Sequence, residues 1–166
     1  LSSVLSKLSK TGNTIQKGSQ RDIMQVMANG GVATIVSVVN FYYPIDQLFI
    51  LYIAGIAAAT ADTWASEIGS FSNRDPIHVI KLKRVIKGTS GGISSIGTLG
   101  SVLGAAIIGI TGYLLGLSGI LLIIIIISGT VGSLIDSLIG GSIQATFQCL
   151  KCKIITEKRK HCKIPS

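Results

Sequence analysis

Ten consecutive residues without a charge form the run GILLIIIIIS at 119–128, and fifteen form QLFILYIAGIAAATA at 47–61. Runs of this kind leave a chain one natural solvent, the bilayer, whose hydrocarbon is about 30 Å thick and takes roughly 20 predominantly apolar residues per helix. Four segments meet that length: residues 22–42, 46–69, 92–117 and 118–145. Charged residues make up 13% of the 166 and hydrophobic ones 48%, too few charges to cover the surface of a water-soluble domain. The expectation is an all-α, polytopic integral membrane protein with four spans. The twenty glycines sit inside the apolar stretches at small-residue spacings such as Gly129, Ser133, Ser137 and Gly141, which points to close helix packing. The chain opens at Leu1 with no signal-peptide pattern, and a piece of a longer bundle is expected.

Charge placement gives orientation, because lysines and arginines flanking spans mark the cytoplasmic side. Lys7, Lys10, Lys17 and Arg21 precede the first span. Arg74, Lys81, Lys83, Arg84 and Lys87 lie between the second and third, and Lys151, Lys153, Lys158, Arg159, Lys160 and Lys163 follow the fourth. These are all fifteen basic residues, and the two remaining connections have none. Both ends of the chain are therefore expected in the cytoplasm, with a prokaryotic plasma membrane the natural setting. No nucleic-acid partner is expected. Residues 1–21 place Leu1, Val4, Leu5 and Leu8 at helical spacing with Lys7 and Lys10 off that face. Either an interfacial amphipathic helix or the end of a preceding span fits that pattern.

Ionisable groups inside spans are costly and mark function. Asp62 and Glu67 fall in the half of the second span nearest the basic loop, and Asp136 in the corresponding half of the fourth. Asp62 should stand roughly 10 Å from its helix end at about 1.5 Å per residue. Gln25, Asn29, Thr63, Ser66, Ser94, Ser95, Ser137 and Gln144 are polar at the same depth, whereas the opposite halves are nearly dry. One-sided polarity suits an enzyme that takes a lipid from one leaflet and a soluble cosubstrate from the cytosol; a transporter needs access from both faces. On a straight helix Asp62 and Glu67 differ by about 140°, so either the helix end near Gly69 is irregular or the two acids do different jobs. Glu67 also fits a solvated pair with a basic loop residue, and Asp62 and Asp136 fit hydrogen bonds to neighbouring helices.

The loop SFSNRDPIHVIKLKRVIKGTSGG, residues 70–92, joins charge to backbone freedom. Gly88, Gly91 and Gly92 can take conformations closed to other residues. Amides of residues 88–93, with Thr89 and Ser90 among them, are then free to turn toward an anion at the start of the third span. Arg84 and Lys87 add full charges. The pattern is no Walker A loop, since no GxxxxGK[ST] occurs. A plain glycine turn beside positive-inside lysines fits the loop alone; three carboxylates at the same depth add what phosphoryl transfer needs, Mg²⁺ held by carboxylates and cations on the phosphates. Residues 146–166 form a basic tail whose Cys149, Cys152, His161 and Cys162 have the spacing of a structural zinc site, or are free thiols.

Four blocks, QVMANGG (25–31), ADTWASEIG (61–69), VIKGTSGGIS (85–94) and DSLIGGSIQ (136–144), resemble, in order, the signature blocks of one membrane family. That family contains transmembrane protein nineteen and the chloroplast phytyl-phosphate kinase of vitamin E synthesis. The resemblance implies phosphorylation of an isoprenoid monophosphate, with CTP or a related nucleotide as donor. It also implies a site formed by Asn29, Asp62, Glu67, Gly88, Thr89, Gly91, Gly92 and Asp136. The family pattern has a lysine near the position of Asn73, where this chain has asparagine followed by Arg74. The expected roles are Mg²⁺ ligation by Asp62, Glu67 and Asp136. Arg84, Lys87, Ser94 and the GTSGG amides would hold phosphate, with Asn29 and Arg21 on the opposite wall. A cytidylyltransferase acting on a lipid phosphate and a transporter of anions or prenyl lipids are the alternatives. Oligomers are compatible with all three.

Overall fold

The computed structural model describes residues 23–143, with side chains from residue 30 onward, and the backbone of four two-residue strands in the tail. Four helices carry the fold: α1 (Ile23–Tyr42), α2 (Asp46–Gly69), α3 (Ser95–Leu114) and α4 (Gly119–Ile143). Three of them, α2, α3 and α4, are long and apolar enough to cross a membrane, and α1 contributes the shorter apolar stretch Gly30–Tyr42. The expected spans at 22–42 and 46–69 coincide with α1 and α2 to within a residue. The third is shorter than expected at both ends, because local capping fixes its limits, and the fourth begins at Gly119 and is described to Ile143.

That capping is written in small residues. Pro44 closes α1, and Asn40 Oδ1 accepts the Ile45 amide at 3.2 Å across the turn. Ser94 caps α3 by accepting the Gly97 amide at 3.1 Å. At the far end of α3 the Gly116 amide bonds the Tyr113 carbonyl at 3.0 Å and the Leu117 amide bonds the Gly112 carbonyl at 3.1 Å. These two bonds make a Schellman motif, and its left-handed residue, Gly116 at φ 102°, needs glycine. Leu117 completes the motif by packing on Gly112 and Ile53.

Helix α2 is central: it packs on α1, α3 and α4, while α3 and α4 also pack on each other. Contacts between Ala57 and Gly129 and between Ala58 and Gly132 advance together along α2 and α4, so these helices run parallel. Helix α3 runs against both, with Gly104 on Thr60, Gly100 on Trp64 and Ile68, and Gly97 on Ala65 and Gly69. Ala57, Ala61 and Ala105 are wholly buried and Ile125 is 1% exposed, whereas Ile35, Leu99, Ile107, Ile123 and Ile127 face outward. A core of glycine and alanine inside a shell of isoleucine and leucine is the arrangement expected when lipid is the outer solvent, since association there rests on close backbone approach.

Residues 70–92 are more ordered than the flexible loop read from the sequence. Strand β1 (Ile77–His78) pairs antiparallel with β2 (Gly92–Ile93), and Ile77 also bridges Arg84. The His78 amide bonds Lys83 O at 2.9 Å and the Leu82 amide bonds His78 O at 2.8 Å, closing a hairpin at 79–82. Leu82 takes φ 49° there, a left-handed conformation that costs a non-glycine residue about 1–3 kcal/mol. In the tail, β3 (Phe147–Gln148) pairs with β4 (Ile155–Thr156) and β5 (Lys160–His161) with β6 (Ile164–Pro165).

Candidate functional site

Two carboxylates stand at one level of the bundle. Ala58 packs on Gly132, and one turn nearer the 70–92 end the parallel helices α2 and α4 carry Asp62 and Asp136. Asp62 is half-buried and Asp136 exposed. Glu67 does not join them. At 100° per residue it lies within about 40° of Thr60 and Thr63, which line the cleft beside α1, while Asp62 lies between the directions of Ala58, which meets α4, and Gly55, which meets α1. Among the described residues no three His, Cys, Asp or Glu side chains come together as a metal-binding group.

The glycine loop docks on α4 at Ser137 and Gly141, and Asp136 stands about 100° round the helix from Ser137. A Cβ on Gly91 would stand 2.5 Å from Gly141 Cα and 3.2 Å from the carbonyl oxygen of Ser137, the residue after Asp136. Gly91 holds φ 77° and Gly88 φ 87°, so both positions require glycine for conformation, and Gly91 for space as well. Some of the loop's polar groups serve the loop itself. The Thr89 amide and hydroxyl bond the Ile86 carbonyl at 3.1 and 2.7 Å, and the Gly92 amide bonds Thr89 O at 3.1 Å. The Thr89 and Gly92 donors are thus engaged internally, and Ser94 Oγ is engaged as the cap of α3.

Of the cations, Arg84 is exposed on the outer hairpin arm and Lys87 is half-buried just before Gly88. Strands lie about 4.8 Å apart, which puts Arg84 roughly 10 Å from Ile93 across β1. Asn29 lies on α1 next to Gly30, which lines a cleft between α1 and α2 with Ala33, Ile56, Ala59, Thr60, Thr63 and Trp64. Arg21, Cys149, Cys152 and Cys162 lie outside the described residues, and of His161 only the backbone in β5 is described.

One residue at this site carried no signal in the sequence. His78 is 4% exposed, and its imidazole Cε1 lies 3.1 Å from where a Cβ on Gly141 would stand. In a lysine-rich stretch a histidine reads as solvated; only the hairpin turns it inward.

Residues 1–165 match the family of integral membrane proteins designated DUF92. The chain belongs to the DUF92 family. An uncharacterized membrane protein of Methanocaldococcus jannaschii is 39% identical over 120 residues, 72% of this chain and 50% of that protein. Protein PGR of Arabidopsis thaliana is 31% identical over 178 aligned positions, 87% of this chain and 62% of that protein. The DUF92 chain thus spans about half to three-fifths of the length of these curated relatives. No solved structure matches it.

Proposed function

We propose that this chain forms part of a prenyl-phosphate kinase, which transfers the terminal phosphoryl group of CTP or a related nucleotide to an isoprenoid monophosphate. The observation that carries the reading is the docking of the GTSGG loop on α4 at Ser137 and Gly141, one residue along the helix from Asp136 and at the end of the bundle that also holds Asp62. The four-block resemblance supports the same chemistry. In this reading the 70–92 end faces the cytoplasm of a prokaryotic cell, the prenyl tail stays in lipid, and the nucleotide arrives from water.

The acceptor brings an ionised phosphate oxygen, so no strong general base is needed. That oxygen bonds the terminal phosphorus as the bond to the bridging oxygen breaks, leaving a nucleoside diphosphate. Lys87 and Arg84 offset charge on the phosphates, and the glycine turn brings the backbone close to them. Asp62 and Asp136 are hard oxygen donors of the kind that hold Mg²⁺ together with substrate phosphates. Bound there, the ion would neutralise phosphate charge. Glu67 stands toward the cleft that Thr60 and Thr63 line.

The test is a kinase assay on the full-length protein in detergent, with geranylgeranyl and phytyl monophosphates, CTP against ATP, with and without Mg²⁺. Metal-dependent formation of the prenyl diphosphate supports the reading. Release of pyrophosphate with a nucleotide-linked lipid would replace it by cytidylyl transfer, and flux across vesicles without nucleotide turnover would replace it by transport.

A further inference from the structure

His78 is a buried, titratable side chain to which the proposed chemistry assigns no part, and its surroundings are unusually specific. Its Nδ1 accepts two main-chain amides of its own hairpin, Ile80 N at 3.2 Å and Lys81 N at 3.3 Å. An imidazole that accepts at Nδ1 carries its proton, when neutral, on Nε2. The ring is therefore fixed in tautomer and orientation by backbone that belongs to the 79–82 turn. Its backbone is fixed as well: His78 pairs with Gly92 across β1 and β2, and the next amide, Val79 N, bonds the Gly91 carbonyl at 2.8 Å.

The opposite edge of the ring meets α4. A methyl group on Gly141 would lie 3.1 Å from His78 Cε1, 3.6 Å from Nε2 and 3.1 Å from Gly91 Cα. Three elements thus converge at one glycine, and no side chain on α4 separates them. The imidazole acts as a rigid spacer between a hairpin that cannot shift without breaking its amide bonds and a helix face with no atoms to yield.

We infer that His78 is a positioning residue: together with the direct contact of Gly91 on Gly141, it sets how the hairpin and the Gly88–Gly91 turn seat on α4, at the helix end that carries Asp136. The inference deepens the kinase reading and rests on it for its catalytic consequence. Asparagine is the informative replacement, because its Oδ1 can accept the amide two residues on in an Asx turn. H78N keeps the hairpin and removes the edge that touches α4. G141A adds a methyl where that edge lies and against Gly91 Cα, and in the double variant the methyl enters space that the ring has left while it still meets Gly91.

The experiment uses the full-length protein and three variants, H78N, G141A and G141A/H78N. It reads thermal unfolding, kcat per folded molecule, and hydrogen exchange of the amides in residues 76–93. We expect unfolding temperatures within a few degrees of the parent. A displacement of about 1 Å costs on the order of a hundredfold in rate. Each single variant should therefore lose tenfold or more in kcat and lose exchange protection around Val79 and Gly92, with part of both restored in the double variant, where the contact of the methyl with Gly91 remains. Unchanged protection in all variants would overturn the inference whether or not the parent is active. Lost protection with unchanged kcat would overturn the positioning role. Protection that follows the expected pattern in a parent with no kinase activity leaves the spacer standing and removes the kinase reading alone.

Discussion

Ala58 Cβ lies 3.1 Å from the position that a Cβ on Gly132 would occupy, so at this level a single methyl group separates α2 from α4. One turn further along, the same helices carry Asp62 and Asp136. The depth and separation of the two acids are inherited from that contact.

Adding a methyl at Gly132 forces Ala58 to give by a few tenths of an ångström. Overpacking of this kind costs about 1–3 kcal/mol. G132A should lower the thermal midpoint in detergent, and A58G/G132A should restore it, because the second change removes the atom that the first one meets. A double variant no more stable than G132A would show that the helices are held apart elsewhere.

D62N and D136N keep size and most hydrogen bonding while removing charge. In the kinase reading each should reduce diphosphate formation by about a hundredfold or more, the scale of losing one electrostatic contact to a transition state. Circular dichroism and unfolding temperature should stay near those of the parent. Full activity in both variants would remove the carboxylates from the mechanism.

Gly91 and Gly116 both hold positive φ, yet a side chain on Gly116 meets nothing within 4 Å while one on Gly91 runs into Gly141. G116A should cost backbone strain alone, about 1–3 kcal/mol. G91A should cost that strain plus a comparable overpacking penalty. Thermal unfolding of the two variants, compared directly, should rank G91A as the more damaging by several degrees.

The charge distribution predicts sidedness. In a background lacking Cys149, Cys152 and Cys162, a cysteine at Lys81 should react with an impermeant maleimide only in inverted vesicles. One at Gly116 should react only in intact cells, since the positive-inside rule puts the 70–92 end in the cytoplasm. Labelling with the opposite sidedness would reverse the proposed orientation of the site.

The helices were legible in the sequence because their limits are local. Pro44, Asp46 and the uncharged runs define α1 and α2 to within a residue, and α3 lost its first residues only because Ser94 caps it. The acids were legible too, since a carboxylate within an apolar run stands out and the 140° between Asp62 and Glu67 follows from helix geometry. The hairpin was not. Its strands are two residues long, β1 and β2 are joined through a fourteen-residue-wide gap in sequence from His78 to Gly92, and the segment IHVIKLKRVI shows no clear alternation. His78 was invisible for the same reason: its burial depends on pairing between distant residues and on Gly141, a residue with no side chain to advertise a contact. The three-carboxylate grouping expected at the loop end does not form among the described residues, in keeping with the 140° between Asp62 and Glu67 on their helix.

Glycine and alanine have no rotamers. Where α2, α3 and α4 meet, the bundle cannot absorb a change in spacing by swinging a side chain aside, as a leucine-filled core can. Distances at the 70–92 end are therefore set in whole steps, one methyl at a time, and natural variation along this seam should come in matched pairs, a gain on one helix answered by a loss on its neighbour.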